Sequence, residues 1–370
     1  MSGCISIPWK EIEGQALISL DLYPPETRLI SESETGPSRI PAVIYFHGGG
    51  MTVGDRKSWF PSWLQKRVNA AGFAFISTDY SLLPPATGHQ IVQDIQNLFA
   101  FLSSSQMDGC LKATLPRAKF VINPNALAVA GSSAGGLCSY LAAIHASPRP
   151  IALLSMYGMG GDFLTPHYLI PKSKPFFRGR EILDPNDYEE FLYPHSESLA
   201  KMYCSPLAYH DKSYVIPGFP ANPRMLLPRL YLQMGTYIDY WTGEQIPSLS
   251  KLLRDVLERP HEEKELEQII PLTHRGLFPQ FNISRDWPPS FLCHGSDDTA
   301  VHLAESQHIY DQLTKAGASV QLEIVQGKEH SFDYEPGAER IHADLFDRIS
   351  RFLASILGRK GLDSSDIGLS

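Results

Sequence analysis

The chain is poor in several features, and each shortage closes off a class of protein. Its 370 residues hold five cysteines, Cys4, Cys110, Cys138, Cys204 and Cys293. They are too few and too scattered for a disulfide framework, and no C-x-x-C pair suggests a structural zinc site. Reduced thiols in a cytoplasmic protein are the expectation. No apolar run approaches the roughly 20 residues that a membrane-spanning helix needs. The stretch from Met1 to Trp9 lacks the basic start and apolar run of a secretory leader, so none is expected. Without secretion, the glycosylation acceptor Asn282-Ile283-Ser284 should be silent. Basic clusters are missing too, and a net charge of -8 with a pI near 5.9 argues against nucleic acid as a partner. No internal repeat is visible. What remains is an ordinary apolar content of 43%, enough for a core. The length suits one large α/β domain with an insertion, or two small domains.

The first informative feature is Gly131-Ser132-Ser133-Ala134-Gly135, a G-x-S-x-G pattern centred on Ser133. Leu127 to Ala130 before it is strand-like, and Ala134 to His145 after it suits a helix. A serine on such a strand-to-helix turn is held in a strained conformation with its hydroxyl exposed. Side chains at Gly131 or Gly135 would obstruct the close approach of strand and helix. Ser132 is the rival nucleophile, but alanine stands two residues to either side of it.

The second feature is His47-Gly48-Gly49-Gly50, which follows the buried-strand pattern of Pro41 to Phe46. Attack on an acyl carbon puts negative charge on the carbonyl oxygen, and fixed backbone N–H groups stabilise it. The expected donors are Gly48 and Gly49, with Ala134 after the nucleophile. A serine also needs a base, and the base needs an acid to orient it. Strand-like Ser290 to His294 leads to Asp297 and Asp298, and strand-like Val320 to Val325 leads to His330. Both groups fall just past strand C-termini, where open α/β sheets bind ligands. Among thirteen histidines, His330 is distinguished by standing between the last strand and a final helix. His294 is expected to close a strand, and His302 and His308 to lie on a helix surface. The two aspartates are not separated by this reasoning.

Together these residues resemble the α/β-hydrolase superfamily, and within it the hormone-sensitive-lipase-like branch of esterases and lipases. That branch carries H-G-G-G, then D-Y-R-L-A-P-E, then G-D-S-A-G-G. Here His47 to Gly50, Asp79-Tyr80-Ser81-Leu82-Leu83-Pro84-Pro85 and Gly131 to Gly136 match them. The likeness covers roughly residues 15–157 and 286–357. Ser132, Pro85 and Ser81 depart from the pattern, replacing an aspartate, a glutamate and an arginine. His294-Gly295-Ser296-Asp297-Asp298-Thr299-Ala300-Val301 resembles the superfamily's H-G-x-x-D-x-x-V, which selects Asp298 as the acid. Asp94 falls where a family aspartate begins the next helix. The resemblance implies an α/β-hydrolase fold, with a mostly parallel central sheet, helices on both faces and an inserted helical lid. It also makes homodimerisation through the last strand and helix plausible.

Patterning along the chain agrees with that fold. Residues 17–23, 73–78 and 151–155 read as strands and 90–102 as a helix, an alternation that predicts a covered parallel sheet. Residues 31–38 read as an exposed loop, 340–357 as the final helix and 361–370 as a disordered tail. Residues 156–286 break the alternation. They are rich in proline and tyrosine, with helical pieces at 247–257 and 262–269, and read as a lid inserted between core segments 1–155 and 287–370. Pro171, Pro175, Phe176, Phe177, Tyr188, Phe191 and Tyr193 give the lid apolar surface. Trp59 and Trp63, four apart, suit one helix face, at the pocket entrance or in the core. The residues themselves point to acyl-transfer chemistry by Ser133, His330 and Asp298, with no cofactor and no metal, and the resemblance implies that the reaction is hydrolysis of a small hydrophobic ester. Acyl transfer, lactone opening or amide hydrolysis on the same triad is the alternative. A binding protein that has lost its chemistry is a more distant one.

Overall fold

Val43 and Tyr45 point to one face of the central sheet, and Ala42, Ile44 and Phe46 to the other, and all five are buried. Strands covered on both sides have no polar face to show, which is why their sequences read as continuous apolar runs. The computed structural model of the protein describes residues 4–12, 15–26, 37–116 and 119–362. The strands are β1 (Ile5–Ile12), β2 (Gln15–Tyr23), β3 (Ser38–Phe46), β4 (Ala74–Thr78), β5 (Phe120–Ser132), β6 (Ala152–Met156), β7 (Ser290–Gly295) and β8 (Val320–Val325). They form one sheet in the order β1-β2-β4-β3-β5-β6-β7-β8. The pairs from β4 to β8 are parallel, and β2 joins β4 and β1 antiparallel.

The helices are α1 (Ser62–Ala70), α2 (Gly88–Leu102), α3 (Ser105–Thr114), α4 (Ala134–His145), α5 (Pro166–Leu169), α6 (Leu227–Met234), α7 (Tyr237–Thr242), α8 (Leu249–Leu257), α9 (Glu263–Ile269), α10 (Leu303–Ala316), α11 (Ala338–Ile341) and α12 (Ala343–Leu362). Helices α1 and α12 cover one face of the sheet through Trp63, Leu64, Phe346 and Ile349. Helices α2, α4 and α10 cover the other through Ile91, Leu98, Leu137, Leu141 and Ile309.

The segment between β6 and β7 carries α5 to α9. Its buried Tyr168, Leu230, Tyr237 and Trp241 belong to the same core cluster as α2 and α4. Tyr188 and Phe191 also join that cluster. Of the aromatic residues read as lid surface, Phe177 faces the cavity described below.

The sequence reading differs from the structure in several places. Strand β1 was not anticipated, and neither were α3, α5, α6 and α7. Strand β5 begins at Phe120 rather than Leu127. Trp59 does not share a helix with Trp63: it precedes α1 with a φ of +44°. Asp94 lies inside α2, not at its start. The loop expected at 31–38 lies outside the described residues but for its last two, and the tail expected at 361–370 but for its first two.

Candidate active site

Strand β5 ends at Ser132 and α4 begins at Ala134, so Ser133 occupies the turn alone. Its φ of +54° and ψ of -121° are rare for a residue with a side chain. Its surroundings hold that conformation. The Ser133 N–H donates to Met156 O at 3.0 Å, and its carbonyl accepts from Gly136 N at 2.9 Å and Met159 N at 3.0 Å. The glycines are a packing requirement. A Cβ at Gly131 would stand 1.9 Å from Gly135 O, and one at Gly135 would stand 1.9 Å from Phe46 O. Ser132, the rival, is buried, and its hydroxyl bonds to Tyr45 Oη at 2.7 Å.

The loops after β7 and β8 bring the other two residues to Ser133. His330 Nε2 lies 2.9 Å from Ser133 Oγ, and His330 Nδ1 lies 2.6 Å from Asp298 Oδ2. A carboxylate only accepts, so Nδ1 carries the proton and Nε2 is left to accept from the serine. Asp298 is held on its other oxygen by the N–H groups of Ala300 and Val301, each at 2.9 Å. Burial alone would raise the Asp298 carboxyl. The attraction of the His330 imidazolium, when that ring is protonated, and the bonds from His294 and His330 outweigh it and hold the acid well below the usual carboxylate range. Asp297 is exposed and accepts only a local bond from Ser296 Oγ at 2.6 Å.

His294 closes β7 as expected, but it does more. Its Nε2 donates to Val301 O at 2.9 Å and lies 3.2 Å from Asp298 Oδ2, while Nδ1 meets Ser306 Oγ at 2.7 Å. His302 is exposed just ahead of α10, and His308 is half-buried within it. Behind His330, the Tyr157 ring packs edge-on with centroids 4.6 Å apart. Tyr157 Oη donates to Asp333 Oδ1 at 2.5 Å, and Trp63 Nε1 to Asp333 Oδ2 at 3.1 Å. Burial pushes the Asp333 carboxyl up to about 6. Neither Asp333 nor Tyr157 was singled out from sequence.

The glycine loop lies beside Ser133. A Cβ at Gly48 would stand 3.4 Å from Ser133 Cβ. His47 Nδ1 donates to Gly48 O at 2.7 Å, and its ring stacks on Tyr80. Tyr80 Oη donates to His47 O at 2.7 Å. Burial lowers the His47 imidazole to about 4, so it stays neutral. The Gly48 carbonyl and the Gly49 N–H share one planar peptide and point in opposite directions. Anchoring the carbonyl therefore aims the N–H. Ala134 is the first residue of α4, where an N–H has no intrahelical acceptor. The tyrosine-proline segment is fixed by ion pairs. Arg56 reaches Asp79 at 2.5 Å and Asp21 at 2.8 Å. Asp94 takes bonds from Lys10 at 2.6 Å and Ser81 N at 2.9 Å.

Ser133, His330 and the glycine loop open onto a cavity of about 270 Å³. Its walls are mostly apolar and aromatic, among them Trp59, Met159, Tyr168, Leu232 and Tyr237. Among the described residues, no group of three or more His, Cys, Asp or Glu side chains is arranged to hold a metal ion. Among them too, no helix is long and apolar enough to cross a membrane.

Residues 43–226 match the family model of the alpha/beta hydrolase fold, and residues 253–360 match that of the prolyl oligopeptidase family. The chain is 25% identical over 328 residues to the probable carboxylesterase M8 of Phoma sp., covering 88% of each chain. It is 26% identical over 355 residues to the non-reducing polyketide synthase mapC' of Penicillium brevicompactum. That match takes in 90% of this chain but only 14% of the synthase, so the chain spans a small part of that relative. Esterase 2 of Thermogutta terrifontis with butyrate bound is similar in structure, with a TM-score of 0.55 and 16% identity over 96% of this chain and 94% of that one. An α/β-hydrolase superfamily protein of Enterococcus faecalis gives a TM-score of 0.55 and 16% identity over 96% of this chain and 100% of that one. The sheet order, the serine turn and the two family matches, one to each part of the chain, have a single reading: the chain belongs to the α/β-hydrolase superfamily.

Proposed function

We propose that the protein hydrolyses carboxylic esters of small hydrophobic acids or alcohols through Ser133, His330 and Asp298. The observation that carries this reading is the unbroken hydrogen-bond chain from Ser133 Oγ through His330 to Asp298. Ser133 Oγ attacks the ester carbon while its proton passes to His330 Nε2. The N–H groups of Gly48, Gly49 and Ala134 receive the oxyanion. As the carbonyl re-forms, the bond from carbon to the alcohol oxygen breaks, and that oxygen takes the proton from His330. Water then attacks the acyl-serine, gives its proton to His330, and the acid leaves as the serine is reprotonated. Asp298 keeps His330 in the required tautomer and steadies the imidazolium.

The mostly apolar cavity supports a hydrophobic substrate, as does the likeness to a carboxylesterase. The segment 156–286 acts as a lid over the C-terminal edge of the sheet, contributing Met159, Tyr168, Leu232 and Tyr237 to the cavity. All five cysteines are unpaired, which supports a cytoplasmic setting. The likeness to a stretch of a polyketide synthase favours a second reading, in which the acyl group passes from Ser133 to an acceptor other than water. Turnover of a short activated ester, with and without an added alcohol, tests both. Acid alone supports hydrolysis, and a new ester supports transfer. An equal rate from Ser133→Ala would refute both.

A further inference from the structure

A second cavity, of about 770 Å³, adjoins the one at Ser133. The two share Phe177, Arg178, Tyr209, Met225 and Pro228 as walls. Three arginines line the outer cavity, Arg178, Arg180 and Arg229, against one carboxylate, Glu181. That is a local excess of positive charge in a chain whose net charge is -8.

Arg229, on α6, is the decisive residue. It is only 8% exposed, and its Nε is buried with no hydrogen-bond acceptor. Glu181 attracts it and Arg180 repels it, but it forms no ion pair or hydrogen bond with any described residue. Arg224, buried on the same stretch of chain, behaves differently. Its guanidinium donates to the carbonyls of Thr52, Leu83 and Pro84 at 3.3, 3.0 and 2.7 Å. A buried cation without a partner is costly, and a second cation beside it adds to the cost. Such an arrangement persists where a ligand supplies the missing charge. Guanidinium groups bind carboxylate and phosphate through paired hydrogen bonds, so the missing group is an oxyanion.

We propose that the substrate is amphiphilic: an ester whose reacting end lies at Ser133 and whose far end carries a carboxylate or phosphate held by Arg180 and Arg229 in the outer cavity. This rests on the ester-hydrolase reading for the position of the reacting end. The apolar walls of the inner cavity take the hydrocarbon between the two ends. Arg178 has a partner already, Glu329 at 3.8 Å, and stands at the junction of the two cavities.

Binding to the Ser133→Ala protein tests this without depending on turnover. The probes are methyl esters of straight-chain acids, in a ladder of lengths, ending in methyl, carboxylate or phosphate. One or both anionic series should bind about tenfold tighter than the methyl-ended series at the optimal length, the worth of one charge-assisted hydrogen bond. The larger gain identifies the anion. Arg180→Glu, at an exposed position, should remove the gain, and so should Arg229→Met. Equal binding of all three series, or a gain that survives both substitutions, overturns the proposal. Loss of ester turnover in the wild-type protein would count against the hydrolase reading but would leave this result standing.

Discussion

His294 Nε2 stands 3.2 Å from Asp298 Oδ2, the same oxygen that takes the bond from His330. The carboxylate is thus supported from two sides, in a site where neither Asp298 nor His294 is exposed. Replacing His294 by phenylalanine keeps the ring volume but strands Val301 O and Ser306 Oγ, and leaves Asp298 Oδ2 with His330 alone. The expected cost is about 2 kcal/mol of stability, the usual penalty for unsatisfied buried groups, with a measurable fall in kcat. Denaturant unfolding and steady-state kinetics check it; an unchanged protein would mean that His294 only closes the strand.

The two aspartates should separate cleanly. Asp298→Asn leaves His330 free to adopt the wrong tautomer, and kcat should fall by about 10⁴-fold. Asp297→Asn touches only a surface turn and should change kcat by less than about twofold, as exposed substitutions generally do. Kinetics on the two purified variants decide between them, and the opposite order would move the acid to Asp297.

His47 aims the Gly49 N–H by holding the Gly48 carbonyl. His47→Phe can still stack on Tyr80 but cannot donate. If Gly49 is an oxyanion donor, kcat should fall by about 10² with KM little changed, because the lost bond is made in the transition state. A change confined to KM would assign the loop to substrate binding alone.

Glu305 is fully buried and accepts from Gly160 N at 2.6 Å and Gly161 N at 3.2 Å, with Tyr168 Oη at 2.9 Å. Burial pushes its carboxyl up to about 8, against 4.5 in the unfolded chain. Between these values the folded protein holds a proton that the unfolded chain has released. Stability attributable to this residue therefore falls as pH rises from about 4.5 to 8. Glu305→Gln, neutral at every pH, should flatten that fall. Melting curves across the range read it, and identical slopes in both proteins would contradict it.

What the sequence disclosed was local. The serine turn was legible because Gly131 and Gly135 are needed at contacts of 1.9 Å that any other side chain would violate. The continuous apolar strands were legible because both sheet faces are covered. Strand β1 was not anticipated although Ile5, Ile7 and Trp9 alternate as a strand should; its Pro8 is tolerated because β1 is at the sheet edge. Helices α6 and α7 are too short for periodicity to register. The supporting shell of the site was not legible at all. Glu305 and Arg229 look like surface residues of amphipathic helices, and Asp333 like a loop acid. Only the tertiary packing buries them. Likewise, alternation could not choose between Asp297 and Asp298, since one residue of offset in a turn reverses which carboxylate faces His330.

The most direct test of the account is labelling with a fluorophosphonate and mapping the adduct by mass spectrometry. The account predicts one adduct, on Ser133, lost in Ser133→Ala and slowed in His330→Ala. An adduct on Ser132, or none on folded protein, would contradict it.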